Sequence, residues 1–315
     1  MDNLSIIISY TLVYTCVLGV VALGGMFSER SGVINLGLEG TMVMGALGGA
    51  LALRYIPISA GGFIVVVVPI IVSIIVGAIY SLLLAVASVT FKADQTITGT
   101  ALNILAPALA TVIVKAITLK EEGKATPYLY YIDSHDFYTF NIFGIEINWF
   151  ILITIVLIVL AYFILYKTRF GMRLMACGEH PSAADSVGIN VQKMRYTGVI
   201  ISGILGGIGG FAYIASKTTS WPFNVGVAGF GFLALAVMIF GQWKPIRIFL
   251  SGLLFGFFLT VAQVYNVIPG LKELSINPQW YKIIPYVVCL IVLAFTSKTS
   301  KAPKAEGIPY DKARR

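Results

Sequence analysis

The sequence predicts an all-α polytopic membrane protein with about nine transmembrane helices. Of its 315 residues, 58% are hydrophobic and only 11% are charged, whereas a soluble domain carries about 25% charged residues. The apolar residues form runs of about 20, the length that a helix needs to cross a bilayer core of about 30 Å. A β-barrel would use alternating strands of about ten residues instead. Because backbone amides in lipid must be satisfied within their own segment, helices are expected.

Nine apolar segments follow one another along the chain, and each is predicted to be a helix. Their ranges are 5–27, 33–53, 62–89, 96–118, 148–166, 196–216, 228–242, 246–265 and 283–297. The seventh and ninth are short, so they are expected either to tilt against their neighbours or, for the seventh, to enter the membrane without crossing. Residues 1–297 are predicted to form one membrane domain with a large cytoplasmic loop at 167–195, followed by a basic tail at 298–315.

The basic residues orient the chain. With the 167–195 loop in the cytoplasm, fifteen of the 22 Lys and Arg residues lie inside, in agreement with the positive-inside rule. This places the N-terminus outside and the tail inside. The net charge of +8 is therefore not a nucleic-acid signal. Because four segments precede the fifth and four follow it, the second group is predicted to be inverted relative to the first, as in many transporters.

Two similar hexapeptides open apolar segments in the two halves. The first, "NLGLEG", spans 35–40, and the second, "NVGVAG", spans 224–229. The predicted orientation puts the first at the inner end of its segment and the second at the outer end. Glycine-interrupted segments at matching positions point to a transport path. The alternative is helix packing, because small residues at four-residue spacing let membrane helices approach closely.

Five polar residues are candidates for lining such a path: Asn35, Glu39, Asn103, Asn224 and Gln263. A charge at the bilayer centre costs roughly 3 kcal/mol. Glu39 is therefore expected either to face a cavity or polar partner, or to lie shallow enough to reach cytoplasmic water, where Arg30 could pair with it. Asn103 and Gln263 either line the path or bond to a neighbouring helix.

The cytoplasmic loop contains a short predicted helix, "PSAADSV", at 181–187. Pro181 suits the first helical turn, and Gly188 suits the position after the last. A helix with such small side chains has little to bury within its own chain, so it is expected to sit in a groove of another protein. The alternative is an interfacial helix resting on lipid headgroups.

Patterns for enzymatic or metal chemistry are nearly absent from the sequence. It contains no phosphate-binding loop, and its two histidines, His135 and His180, are predicted on opposite sides of the membrane. Cys16, Cys177 and Cys289 form no C-x-x-C motif. No catalytic residue, metal or bound cofactor is expected. A pump built on this chain would need an external engine docked on the cytoplasmic loop.

Four stretches carry a family resemblance: "GGMFSERSGVINLGLEGTMVMGAL", "ALNILAPAL", "FGMRLMACGEHPSAADSVGINV" and "GFGFLALAVMIFGQWKP". Together they resemble the permease subunits of ATP-binding-cassette importers, in the group that includes branched-chain amino acid, ribose and nucleoside permeases. The most specific piece is A-x-G-E-x-P-x-A-A-x-x-x-G-I, from Ala176 to Ile189. "SERSGVINLGLEG" and the tail "KAPKAEGIPYDK" are most similar to the shorter of the two nucleoside permease subunits.

The resemblance implies a transport subunit in a bacterial cell membrane, and not an enzyme. This subunit would form half of a pore for the ATP-driven uptake of nucleosides or a related small polar solute. It implies three partners: a second related permease, a cytoplasmic ATPase that binds the ATP, and an extracytoplasmic substrate-binding lipoprotein. It makes the loop helix the element that docks on the ATPase, through Glu179, His180, Pro181, Ala183, Ala184 and Gly188. The alternatives are a simple-sugar importer and a stand-alone proton-coupled carrier with Glu39 as the proton site.

Overall fold

A computed structural model describes residues 3–57, 60–142, 145–215, 219–266, 277–296 and 301–311. Within these ranges the chain is mostly helical, and every predicted segment coincides with a helix. The helices are α1 Asn3–Arg30, α2 Leu38–Tyr55, α3 Gly62–Ala85, α4 Gln95–Glu122, α5 His135–Tyr138, α6 Trp149–Lys167, α7 Arg169–Glu179, α8 Pro181–Ser186, α9 Val191–Ala215, α10 Phe230–Phe240, α11 Pro245–Val264 and α12 Pro278–Thr296.

Six of these helices are long and apolar enough to cross a membrane: α1, α3 with its π-helical extension Val86–Thr90, α4, α6, α9 and α11. Helix α10 is apolar but has only 11 residues, and α2 carries Glu39 and Arg54 near its ends. The protein is therefore a polytopic helical membrane protein. The number of nine crossings and their orientation stay predictions.

Two short antiparallel strand pairs, which the sequence pattern does not predict, lie in the loops. The strands are β1 Tyr128–Tyr130, β2 Thr139–Ile142, β3 Ile145–Asn148 and β4 Ser220–Pro222. In the first pair, β1 with β4, Leu129 is opposite Trp221; in the second, β2 with β3, Phe140 is opposite Ile147. Strands β1 and β4 are far apart in sequence, so no local pattern could reveal their pairing. Helix α7, in the large loop, is also additional to the prediction.

Helix α9 is the centre of the bundle, with α1, α2 and α3 packed around it. Glycines allow this close packing. A Cβ at Gly45 would lie 2.3 Å from the Gly207 Cα, and a Cβ at Gly210 would lie 2.0 Å from the Met42 carbonyl oxygen. The helix-packing interpretation of the glycines is thus confirmed for α2 and α9.

The outward faces of α3, α4 and α6 are apolar. Large hydrophobic side chains are exposed on each of them, among them Phe63, Ile104 and Phe163. A soluble protein rarely exposes contiguous apolar surface on this scale. In a membrane, lipid or a second subunit covers such faces and keeps them away from water.

Charged residues gather at the two ends of the bundle. At one end the Arg54 guanidinium bonds to Glu121 and Glu122, at 2.8 and 2.7 Å. At the other end residues 301–311 pack against α7, α8 and α9, so this part of the predicted basic tail is docked on the bundle. The predicted domain boundary at residue 297 lies outside the described residues.

Candidate functional site

The two glycine-containing hexapeptides meet in the structure. The two carboxylate oxygens of Glu39 accept hydrogen bonds from the backbone amides of Gly229, at 2.8 Å, and Gly231, at 2.6 Å. The approach is close enough that a Cβ at Gly231 would lie 2.4 Å from the Glu39 nitrogen. The first amides of a helix have no partner within that helix and attract negative charge. Glu39, in the first turn of α2, therefore caps the first turn of α10.

This contact corrects the predicted placement of the hexapeptides at opposite membrane ends. Helix α10 is 11 residues long, or about 16 Å, roughly half of the bilayer core. Just beyond its far end, the indole Nε1 of Trp243 donates to Glu29, which is the penultimate residue of α1. Gly229 is thus about half a membrane away from the end at which α1 terminates. The segment predicted at 228–242 is too short to cross the membrane by itself.

Glu39 does not pair with Arg30, so the predicted pairing is wrong. The Arg30 guanidinium instead lies 3.9 Å from the Glu179 carboxylate and donates to the Trp243 carbonyl at 3.2 Å. Glu39 has the other predicted environment, a polar partner inside the bundle. That partner is the backbone of α10, which composition alone does not reveal.

Asn103 and Asn35 fix the turn that leads into α2. The Asn103 carboxamide accepts from the Gly40 amide at 2.8 Å and donates to the Leu36 carbonyl at 2.7 Å. Asn35 is buried and donates to the Ser202 hydroxyl on α9 at 2.8 Å. For Asn103, the predicted bond to a neighbouring segment is therefore present. Both side chains hold the polypeptide that presents Glu39.

Asn224 and Gln263 are not part of this cluster of bonds. Asn224 lies in a 3₁₀ turn, Phe223–Val225, shortly before Gly229, and its side chain is exposed. Gln263 is exposed near the end of α11. Both side chains are exposed at the surface of this chain.

Aromatic side chains surround the start of α10, and the sequence analysis does not predict them as part of the site. The Phe230 ring centroid lies 4.5 Å from that of Tyr213 and 5.6 Å from that of Tyr14. The Trp221 ring lies 5.3 Å from Tyr213, and its Nε1 donates to the Gly226 carbonyl. Tyr14 is about 200 residues away from the other three, so only the tertiary structure brings it to this cluster.

The loop helix is present and begins as predicted, with Pro181 at its first turn. It ends at Ser186, one residue before the predicted end, and Gly188 follows with a left-handed φ of +84°. His180 is the residue before the helix. Glu179 closes α7 and faces Arg30.

The two alanines of the loop helix have different environments. Ala184 is buried against Cys177 and Val191 of the same chain, whereas Ala183 is exposed. Ala184 is therefore wrong as a predicted docking residue, because its methyl group faces inward. Ala183 stays a candidate.

No group of three metal-ligating side chains occurs within the described ranges. The chemistry available near Glu39 is polar binding and packing, with paired helix ends, aromatic rings and one carboxylate. At the end that carries the loop helix, the exposed face of α8 includes Ala183.

Comparison with known proteins gives one family. A family described as "Branched-chain amino acid transport system / permease component" matches residues 7–293. The chain is 39% identical to the nucleoside ABC transporter permease protein NupC of Lactococcus lactis, over 99% of both chains. It is 38% identical to the guanosine ABC transporter permease protein NupQ of Bacillus subtilis, over 99% of this chain and 98% of the relative.

A more distant relative carries a different substrate name. The putative glucose ABC transporter permease protein TsgC13 of Haloferax volcanii is 28% identical over 92% of this chain and 91% of its own length. No solved structure is a significant match to the chain.

Proposed function

Since the chain belongs to the family of permease components of branched-chain amino acid transport systems, we propose that it is the permease subunit of an ABC importer that takes up nucleosides. The observation that carries the substrate class is the end-to-end similarity to two permeases named for nucleoside and guanosine transport. Like those relatives, the chain is a transport component and not an enzyme. ATP is bound and hydrolysed by a partner subunit.

The proposed architecture has nine crossings in an inverted 4+1+4 arrangement, with the N-terminus outside and the C-terminus in the cytoplasm. The seventh crossing would be made by α10 together with the stretch of chain that precedes it. Two features support this architecture. Each hexapeptide lies at the start of a helix that follows a non-helical stretch, and the two helix starts face each other. Broken helices whose ends meet near the midplane are typical of the substrate sites of inverted-repeat transporters.

The substrate path is proposed to pass the start of α10, beside Glu39 and Asn224. Asn35 and Asn103 support this region by fixing the turn before α2. Gln263 would contribute only where α11 faces a second subunit. The rings of Tyr213 and Trp221 suit a nucleobase, because base–aromatic stacking contributes about 1–3 kcal/mol per base.

The loop helix α8 is proposed to dock on the cytoplasmic ATPase through Ala183 and its neighbours. ATP binding would close the ATPase subunits and move the loop helices, which would turn an inward-facing cavity outward. The family implies the ATPase and a substrate-binding protein as partners. We further propose that a second, related permease completes the pore, that the binding protein is a lipoprotein, and that the complex lies in a bacterial cell membrane.

The decisive experiment is uptake by the complex reconstituted in liposomes. Labelled guanosine and uridine are expected to accumulate only with ATP, while ribose and glucose are not. Uptake of the sugars alone would favour the simple-sugar importer, which the similarity to TsgC13 keeps as second candidate. Uptake by this chain by itself, without ATP and driven by a proton gradient, would overturn the ABC assignment.

A further inference from the structure

A segment near the C-terminus ties three helices of one bundle end together. We call residues 301–311 the C-terminal strap. The Ala305 amide donates to the carbonyl of Gly178 on α7, at 2.8 Å. The Tyr310 hydroxyl donates to the Asp185 carboxylate on α8, at 2.9 Å. A third bond, described next, joins the strap to α9.

The bond to α9 involves a buried cation. Arg195 is 1% exposed, and its Nη1 donates to the Ile308 carbonyl at 2.8 Å. Its Nε and Nη2 have no hydrogen-bond partner within the described ranges. A buried charge without compensation is costly, so the strap carbonyl is one of the few groups that make this arginine tolerable. The strap is thus built into the bundle end.

The course of the strap also fits the end of α1. Gly307 has a left-handed φ of +75°, and a Cβ there would lie 2.7 Å from the Ile34 Cδ1. The carboxyl group of Glu306 is in hydrogen-bond contact with Glu29 of α1. By contrast, the ion pair between Lys92 and Asp311, at 3.0 Å, is partly exposed and contributes little.

Helix α8 needs such support. A helix of six residues is marginal in isolation, and Ala184 is the one residue of α8 that is buried in the chain. Its small cluster with Cys177 and Val191 is completed by the ring of Tyr310. Helix α8 is therefore held by α7, α9 and the strap together, while Ala183 stays exposed.

We propose that the C-terminal strap positions the loop helix, with Tyr310 acting through Asp185, so that movement of α8 is passed to the ends of α1 and α9. Tyr310 is a positioning residue and touches no substrate. The inference rests on the proposed function in one respect, that α8 is the element on which the ATPase acts.

The test is a double-mutant cycle in the complete complex with Tyr310→Phe, Asp185→Ala and both together. Tyr310→Phe keeps the ring and removes the hydroxyl. It is expected to speed amide hydrogen exchange in residues 181–189, and to lower nucleoside uptake per ATP hydrolysed, each about three- to tenfold. In the Asp185→Ala background it should add nothing, because the contact is already lost. Lys304→Ala, an exposed strap residue, is the control.

Wild-type exchange and wild-type coupling in Tyr310→Phe, or effects that add to those of Asp185→Ala, would overturn the inference. The exchange readout does not depend on the substrate. If the wild-type complex takes up no nucleoside, the proposed function fails, while faster exchange in Tyr310→Phe would still support the positioning of α8.

Discussion

Glu39 shows how a carboxylate can be accommodated inside an apolar bundle. Both of its oxygens accept backbone amides of α10, at 2.8 and 2.6 Å. Each hydrogen bond to a charged group contributes about 1.5–3 kcal/mol, and an amide left unpaired in the bundle costs a similar amount. The residue therefore has a structural role as a helix cap, which has to be separated experimentally from any role in binding.

Substitution of Glu39 separates the two roles. Glu39→Leu is expected to abolish uptake and to destabilise the permease by roughly 2 kcal/mol or more, because two amides lose their acceptor. Glu39→Gln keeps one acceptor oxygen and should be less destabilised. Thermal unfolding of the purified complex and uptake by liposomes measure the two effects. Asn141→Leu, an exposed change in strand β2, serves as the control, and full uptake with unchanged unfolding in Glu39→Leu would remove Glu39 from the site.

Glu306 makes the strap sensitive to pH. Burial has the larger effect and raises the pKa of Glu306, although its hydrogen bond with Glu29 lowers that pKa. Arg30 is the cation that faces Glu306 from α1, and it also opposes the effect of burial. The docked strap therefore binds protons more readily than the released strap. Docking is strongest below the ordinary pKa of a glutamate and weakens as the pH rises through the raised value.

Release of the strap from the bundle is measured by the rate of trypsin cleavage after the exposed Lys304. The cleavage rate of the wild type, divided by that of Glu306→Gln at the same pH, is expected to rise as the pH increases above the ordinary pKa of a glutamate. The glutamine variant has no carboxyl group to titrate and corrects for the pH dependence of the protease. A constant ratio as the pH increases would show that Glu306 does not control the strap.

At the scale of the element, the loop helix shows which face is free. Ala184 is buried by its own chain and Ala183 is exposed. An arginine at residue 184 would damage the loop itself and would say nothing about docking. An arginine at residue 183 probes the outward face.

Ala183→Arg is expected to reduce co-purification of the ATPase by about tenfold or more, because it buries an unpaired charge in the docking groove. Uptake should fall with it, while the amount of permease in the membrane stays the same. Ala183→Ser, a change of similar size to the original, should behave as the wild type. A helix that rests on anionic headgroups would tolerate the arginine, so normal ATPase recovery with normal uptake would contradict the docking role.

At the scale of the whole molecule, two helix starts from the two halves of the chain meet inside the bundle. The start of α10 lies about 16 Å from the end where α1, α7 and the strap gather. The proposed substrate contact in the middle and the proposed ATPase contact at one end are thus separated but connected by α10 and α1. Which end of the bundle faces the cytoplasm depends on the orientation of the chain in the membrane.

Cysteine labelling tests the orientation. In a Cys289→Ser background, an impermeant thiol reagent is expected to label Asn141→Cys in intact cells, and Ser182→Cys only after the membrane is opened. The native thiols should not interfere, since Cys16 is buried and burial raises the pKa of Cys177 to about 11, which keeps it a poorly reactive thiol. The opposite pattern would invert the topology.

The sequence by itself determined that the protein lies in a membrane, where most of its helices lie, and which family it belongs to. Long apolar runs dictate helices in lipid, and the motif from Ala176 to Ile189 is local enough to identify relatives. Pro181 and Gly188 likewise located the loop helix, because the chemistry of helix ends is carried by single residues.

Only the tertiary structure decided the partners of the polar groups. Glu39 bonds to amides about 190 residues away, Tyr310 bonds to Asp185, and strand β1 pairs with β4. Such contacts leave no periodic trace in the sequence, because hydrogen bonding between distant segments depends on how helices pack and where they stop. Because α10 is short, the second hexapeptide lies beside Glu39 and not at the predicted membrane surface. Because Ala184 packs inside its own chain, it is not part of the proposed docking face.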